Sequence, residues 1–157
     1  MASVLRQTAA VVAAISGLLS GALALAETGP LWQRDCGAAG GCVLSQSLLS
    51  PGGQPLALLR IDLRDETAVL QLLLPEGVHL ASGAFYSLDG GPEQRLDYLR
   101  CREGLCEASR ALTAAEWRGL RRGEQLSLLY RPAAGEPPAE LPVSLSGITA
   151  AAREGQP

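Results

Sequence analysis

Cysteine, histidine, serine and clustered arginine are the residue types in this sequence whose spacing could support chemistry. The four cysteines fall into two close pairs, Cys36 with Cys42 and Cys101 with Cys106. A dithiol redox site needs Cys-x-x-Cys at a helix start, where the helix lowers one thiol's pKa, and neither spacing matches. A four-thiolate zinc site needs knuckles of two to four intervening residues, and the first pair encloses five. Structural disulfides remain. Four cysteines allow three connectivities. Loop-closure entropy favours Cys36–Cys42 and Cys101–Cys106 by roughly 2 kcal/mol over pairs about 60 residues apart, and long-range staples stay open as the alternative.

The other chemical candidates each have a plainer reading. His79 is the sole imidazole, so a metal role would need carboxylates brought from elsewhere, and a strand-end or surface histidine is expected. Ser144 and Ser146 would share one strand face, without the Gly-x-Ser-x-Gly context of a nucleophile elbow. Asp89-Gly90-Gly91 lacks the further oxygen ligands of a calcium loop and reads as a hairpin turn. Arg118, Arg121 and Arg122 crowd one short helix. Guanidinium forks match phosphate oxygens, which makes these three a candidate interaction surface for an anion or a lipid headgroup. The plainer reading is a solvated helix end complementing its own dipole. Trp32 and Trp117 suit either an interface hot spot or a core anchor. No catalytic residue, metal ligand or cofactor-binding residue is assigned, so the reading is non-enzymatic.

The elements that must hold these side chains are mostly short strands. Val43–Leu49 ends at Pro51-Gly52-Gly53. Leu56–Leu63 and Ala68–Leu74 both alternate at period two around Arg64-Asp65-Glu66 and read as a hairpin. Ala84–Leu88, Gln94–Cys101, Cys106–Ala111, Leu126–Arg131 and Val143–Ile148 follow, separated by Gly, Pro and charged turns. One helix over about 113–122 carries a Thr113/Glu116 capping box and a Leu112/Trp117 staple, with Gly123 as a left-handed stop. Pro132–Pro142 reads as an exposed loop. The predicted fold is mainly β: an antiparallel β-sandwich or partly closed barrel of about eight or nine short strands with one short helix.

Composition bounds the rest. The chain has 157 residues, 47% of them apolar, a formal charge of −3 and a single histidine. That suits one globular domain and excludes disorder. Without a basic stripe, nucleic acid is a poor partner. Residues 1–26 read as an export signal: Arg6 near the start, then an apolar run, then Ala24-Leu25-Ala26 as a small-x-small cleavage site. Residues 27–150 form the expected single β-rich domain and 151–157 a flexible tail, with no transmembrane segment after signal removal. Export would place the cysteines where disulfides persist.

Taken together, the motifs resemble the invasion-associated locus B family of exported Gram-negative proteins. The resemblance runs through Trp32-x-x-x-Cys36, Cys42-Val43-Leu44-Ser45-Gln46, Leu74-Pro75-Glu76-Gly77-Val78, Ser82-Gly83 and Asp89-Gly90. It continues with Tyr98-x-x-Cys101, Gly104-Leu105-Cys106, the Gly123 turn, Leu126-x-Leu128 and Val143-Ser144-Leu145-Ser146-Gly147-Ile148. Ile148 stands where the family pattern has an aromatic, and the first cysteine loop is short and glycine-rich. The resemblance implies a periplasmic, secreted or outer-envelope location and a protein partner in the envelope or on a host cell. The family carries no catalytic residue set. The expected function is a non-enzymatic, cofactor-free interaction module contributing to host-cell interaction. The alternatives are an envelope-maintenance or chaperone-like factor, and then a small-ligand-binding protein or hydrolase.

Overall fold

A computed structural model of the chain describes residues 32–38, 40–64 and 67–153. The expected signal segment 1–26 and its cleavage site lie outside the described residues. Nine antiparallel strands form one sheet: β1 (Gln33–Cys36), β2 (Cys42–Leu49), β3 (Pro55–Arg64), β4 (Thr67–Pro75), β5 (Ala84–Leu88), β6 (Gln94–Arg102), β7 (Leu105–Leu112), β8 (Gln125–Tyr130) and β9 (Ala139–Ser144). Helix α1 (Ala114–Leu120) lies between β7 and β8, and α2 (Ile148–Arg153) follows β9. Across the sheet the order is β1-β2-β3-β4-β7-β6-β5-β8-β9.

Period-two alternation decides which face is buried. Leu59 and Ile61 of β3, Leu70, Leu72 and Leu74 of β4, and Leu126 and Leu128 of β8 have no exposed surface. Each such leucine contributes about 2 kcal/mol relative to an exposed one. The hairpin of β3 and β4 pairs in register, Ile61 opposite Leu70 and Leu59 opposite Leu72, so one inner face stays apolar across both strands.

The sheet curls because β6 serves two neighbours. Its first residues pair with β5 and its later ones with β7, and the register shifts between Tyr98 and Arg100. A bulge of this kind bends a strand and increases its twist; Leu99, the extra residue, is 60% exposed. The curl brings the two edges of the sheet together. The Trp32 indole N–H, just before β1, donates to the Ser144 carbonyl at the end of β9 (3.1 Å). Buried Ile148 and Ala151 of α2 complete this seam. The result is a curled half-barrel whose interior is filled by aliphatic side chains, the partly closed barrel of the two expected architectures.

Two expectations need correction. Among the described residues there are two α-helices where one was expected. The last strand covers Ala139–Ser144 rather than Val143–Ile148. Val143 and Leu145 are both buried, which preserves the apparent alternation, but Gly147 at φ +84° turns the chain out of the sheet and into α2. The expected tail therefore begins inside a helix: Ala151 is buried, while residues 154–157 lie outside the described residues.

Candidate functional site

Of Arg118, Arg121 and Arg122, only Arg118 lies within α1; Arg121 caps its end and Arg122 follows. Arg118 and Arg122 are exposed, whereas Arg121 is half-buried with its guanidinium carbon 5.4 Å from the centre of the Trp117 ring. Its backbone carbonyl accepts a hydrogen bond from the Thr149 hydroxyl (2.7 Å), which ties α1 to α2. The Arg121 side chain lies over Trp117 with its Nε buried and without a hydrogen-bond partner among the described residues.

Helix α1 starts as its sequence dictates. The Glu116 amide donates to the Thr113 hydroxyl (3.2 Å) and the Thr113 amide donates to the Glu116 carboxylate (2.7 Å). The same carboxylate pairs with Arg110 (2.9 Å) and accepts from the Tyr86 hydroxyl (3.4 Å). Burial pushes the Glu116 carboxyl up, but the Thr113 amide and hydroxyl and the Arg110 guanidinium outweigh it, and the pKa settles below the usual carboxylate value. Burial and the Glu116 charge raise the Tyr86 phenol. The helix end differs from expectation. Gly123 is not left-handed: a Cβ there would lie 2.5 Å from Leu88 Cδ1 and 2.9 Å from Asp89 Oδ2. Glycine stands there for close approach of the β5–β6 turn. The Asp89 carboxylate holds that turn by accepting from the Glu124 (3.0 Å) and Gln125 (2.8 Å) amides.

Cys36 and Cys42 are direct cross-strand partners with Cα atoms 4.1 Å apart, and Cys101 and Cys106 likewise at 4.0 Å. Both local pairs lie at disulfide distance, and no described cysteine is left over. Sequence reasoning missed the residue that uses the first pair. Arg34 donates Nε to Cys36 Sγ and Nη2 to Cys42 Sγ (both 2.8 Å), and Nη1 to the Ala151 carbonyl (3.0 Å). One guanidinium thus joins the cysteine clip to the C-terminal end of α2, where a cation is favoured.

The widest assembly of functional side chains is on the outer face of β3, β4, β7 and β6. Cross-strand register builds two rows: Arg60, Gln71, Ser109 and Asp97, and beside it Leu58, Leu73, Glu107 and Arg100. Glu107 is the hub. It accepts from Gln71 Nε2 (3.2 Å) and from Arg100 Nε (3.0 Å), and pairs with Arg100 Nη2 (2.9 Å). Asp62 pairs with Arg64 (2.9 Å). Arg60 and Arg102 line the same cleft of about 360 Å3 and belong to none of the ion pairs among the described residues. Leu73 and the 43% exposed Leu105 form its apolar part. The polar-out residues Arg60 and Asp62 mark this face in the sequence. Its assembly from four strands depends on the β4–β7 pairing.

The remaining candidates have local partners. His79 Nδ1 is 2.7 Å from the Ser82 hydroxyl. The Ser146 amide donates to the Ser144 hydroxyl (3.2 Å), and both residues are exposed. Trp32 is buried and Trp117 half-buried against the core. Among the described residues no group of three or more His, Cys, Asp or Glu side chains is placed to hold a metal ion. No described helix is long and apolar enough to cross a membrane.

The family model for the invasion associated locus B (IalB) protein matches residues 32–155, a span that takes in every described residue. The chain belongs to the IalB family. The IalB fold is also seen in the crystal structure of invasion associated protein B from Bartonella henselae. The two superpose with a TM-score of 0.69 at 23% identity, covering 80% of this chain and 92% of that one. At this identity the likeness establishes a shared fold. No curated protein matches the IalB chain described here.

Proposed function

We propose that this IalB family member is an exported, cofactor-free envelope protein that works by binding another protein through the outer face of β3, β4, β7 and β6. The observation that carries the reading is the pairing state of that face. Glu107 and Asp62 are paired with Arg100 and Arg64, and the cleft charges outside any ion pair among the described residues are Arg60, Arg102 and Glu103, a positive excess beside the apolar Leu73 and Leu105. Arginine next to exposed aliphatic surface is the composition of a protein-binding patch. Charge complementarity specifies the partner's side: carboxylates flanking an aliphatic side chain. Two cross-strand cysteine pairs agree with function in an oxidising compartment. The named invasion role of the Bartonella protein supports placing that partner in the envelope or on a host cell.

The test is retention of envelope proteins on immobilised wild-type protein and on Arg60→Gln/Arg102→Gln. A partner that elutes with moderate salt from wild type and is retained at least about tenfold less by the variant supports the reading, since two rim charges govern such binding. Equal retention would remove this face from consideration. A chaperone-like role, the second reading, would show instead as suppressed aggregation of unfolded proteins independent of both arginines.

A further inference from the structure

A second site lies at the opposite end of the chain's pairing order, between the 3-10 turn Leu80–Ser82 and the proline-rich loop 132–138. Its centre is Arg131. The Arg131 Nε donates to the Ser82 hydroxyl (3.0 Å) and Nη1 donates to the Glu136 carbonyl. Ser82 is itself set by His79, through Nδ1 to Oγ (2.7 Å) and through the Ser82 amide to the His79 carbonyl (3.1 Å). The His79 amide in turn donates to the Arg131 carbonyl (2.9 Å), which ties the Arg131 backbone to the same turn that its guanidinium contacts.

Both of its side-chain acceptors are neutral. Arg131 takes part in no ion pair among the described residues, although Glu93 lines the same pocket. The pocket holds about 260 Å3 and is walled by Phe85, Leu129, Tyr130 and Pro138. Gly83 lies on its floor at φ +78°, where a Cβ would press to 3.1 Å from the Phe85 ring. The chain thus keeps space beside a fixed, half-buried cation whose charge is not neutralised. With Nε and one Nη1 hydrogen engaged by Ser82 and Glu136, Nη2 and the second Nη1 hydrogen remain as donors for a ligand carboxylate. The volume is just below that of drug-sized ligand sites. It suits a compact apolar group.

We propose that the Arg131 pocket binds a carboxylate attached to a compact apolar or aromatic group. A free organic acid and the C-terminal residue of a polypeptide both offer this chemistry. The site shares no lining residue with the outer-face cleft and stands independently of it.

The test is a titration followed by 1H–15N correlation spectra, with phenylacetate, phenylacetamide and the peptide Ala-Ala-Phe bearing a free carboxylate as probes. The expected result is saturable shifts of the Gly83, Phe85 and Leu129 amides with the acids, and at least about tenfold weaker binding of the amide. Arg131→Gln should cost a similar factor, and Arg131→Lys should recover only part of it. Tighter binding of the peptide than of phenylacetate would assign the site to polypeptide termini; the reverse would assign it to free acids. If the glutamine variant does not fold, acid against amide on the wild-type protein still decides. Equal binding of acid and amide, or no saturable shift at these amides, would overturn the proposal.

Discussion

At the scale of single residues, Glu116 and Gly123 show how far side-chain identity predicts local structure. Thr113 and Glu116 are readable because capping depends only on residues three apart, and the box forms as spaced. Arg110 and Tyr86 join Glu116 through tertiary pairing, which no local pattern announces. Because its carboxyl sits below the usual 4.5, Glu116 contributes stability at neutral pH. That contribution is complete above the unfolded value and is lost as pH falls through the folded one. Glu116→Gln should therefore unfold at lower urea near pH 7, by about 1 kcal/mol. The gap to wild type should close in denaturation curves taken at progressively lower acidic pH. Gly123 was legible as a special position, but for the wrong reason: its neighbour Leu88 comes from a turn 35 residues away in sequence. Gly123→Ala should cost about 1–3 kcal/mol through overpacking, measured as a fall in the denaturation midpoint.

At the scale of elements, strands with one polar and one apolar face were legible because alternation is a property of the strand itself. β3, β4 and β5 fall within a residue or so of their expected bounds. The exceptions are β9, which begins inside the expected loop 132–142, and α2. Six residues cannot sustain a helix alone, and Ile148-Thr149-Ala150-Ala151-Ala152-Arg153 has no cap motif to announce one. It is held from outside, by burial of Ile148 and Ala151, by the Thr149 bond to Arg121 and by Arg34 at its last carbonyls. Ile148→Ala should lower stability by about 2–4 kcal/mol. Hydrogen exchange should then accelerate in α2 and β1 before β3 and β4, since the seam opens while the central sheet stays paired.

At the scale of the whole molecule, the curl of one nine-stranded sheet separates a filled interior from an outer face where β3 and β6 meet across β4 and β7. The fold class was legible from strand count and turn spacing, and the family from the order of its motifs. The outer-face cleft was not, because Arg60 and Arg102 are brought together only by the non-sequential β4–β7 neighbours. The half-buried Arg121 shows the converse: arginines close in sequence differ in their surroundings. Partner docking in the cleft flanked by Arg60 and Arg102, as proposed above, can be read in cells. Its most direct test is site-specific photo-crosslinking in the intact envelope, with the reactive group at Gln71 in the cleft or at exposed Glu140 on β9. Docking there should give one discrete adduct from position 71, reduced at least about tenfold by Arg60→Gln/Arg102→Gln, and no matching adduct from position 140. The same adduct from both positions, or one indifferent to the two arginines, would contradict it.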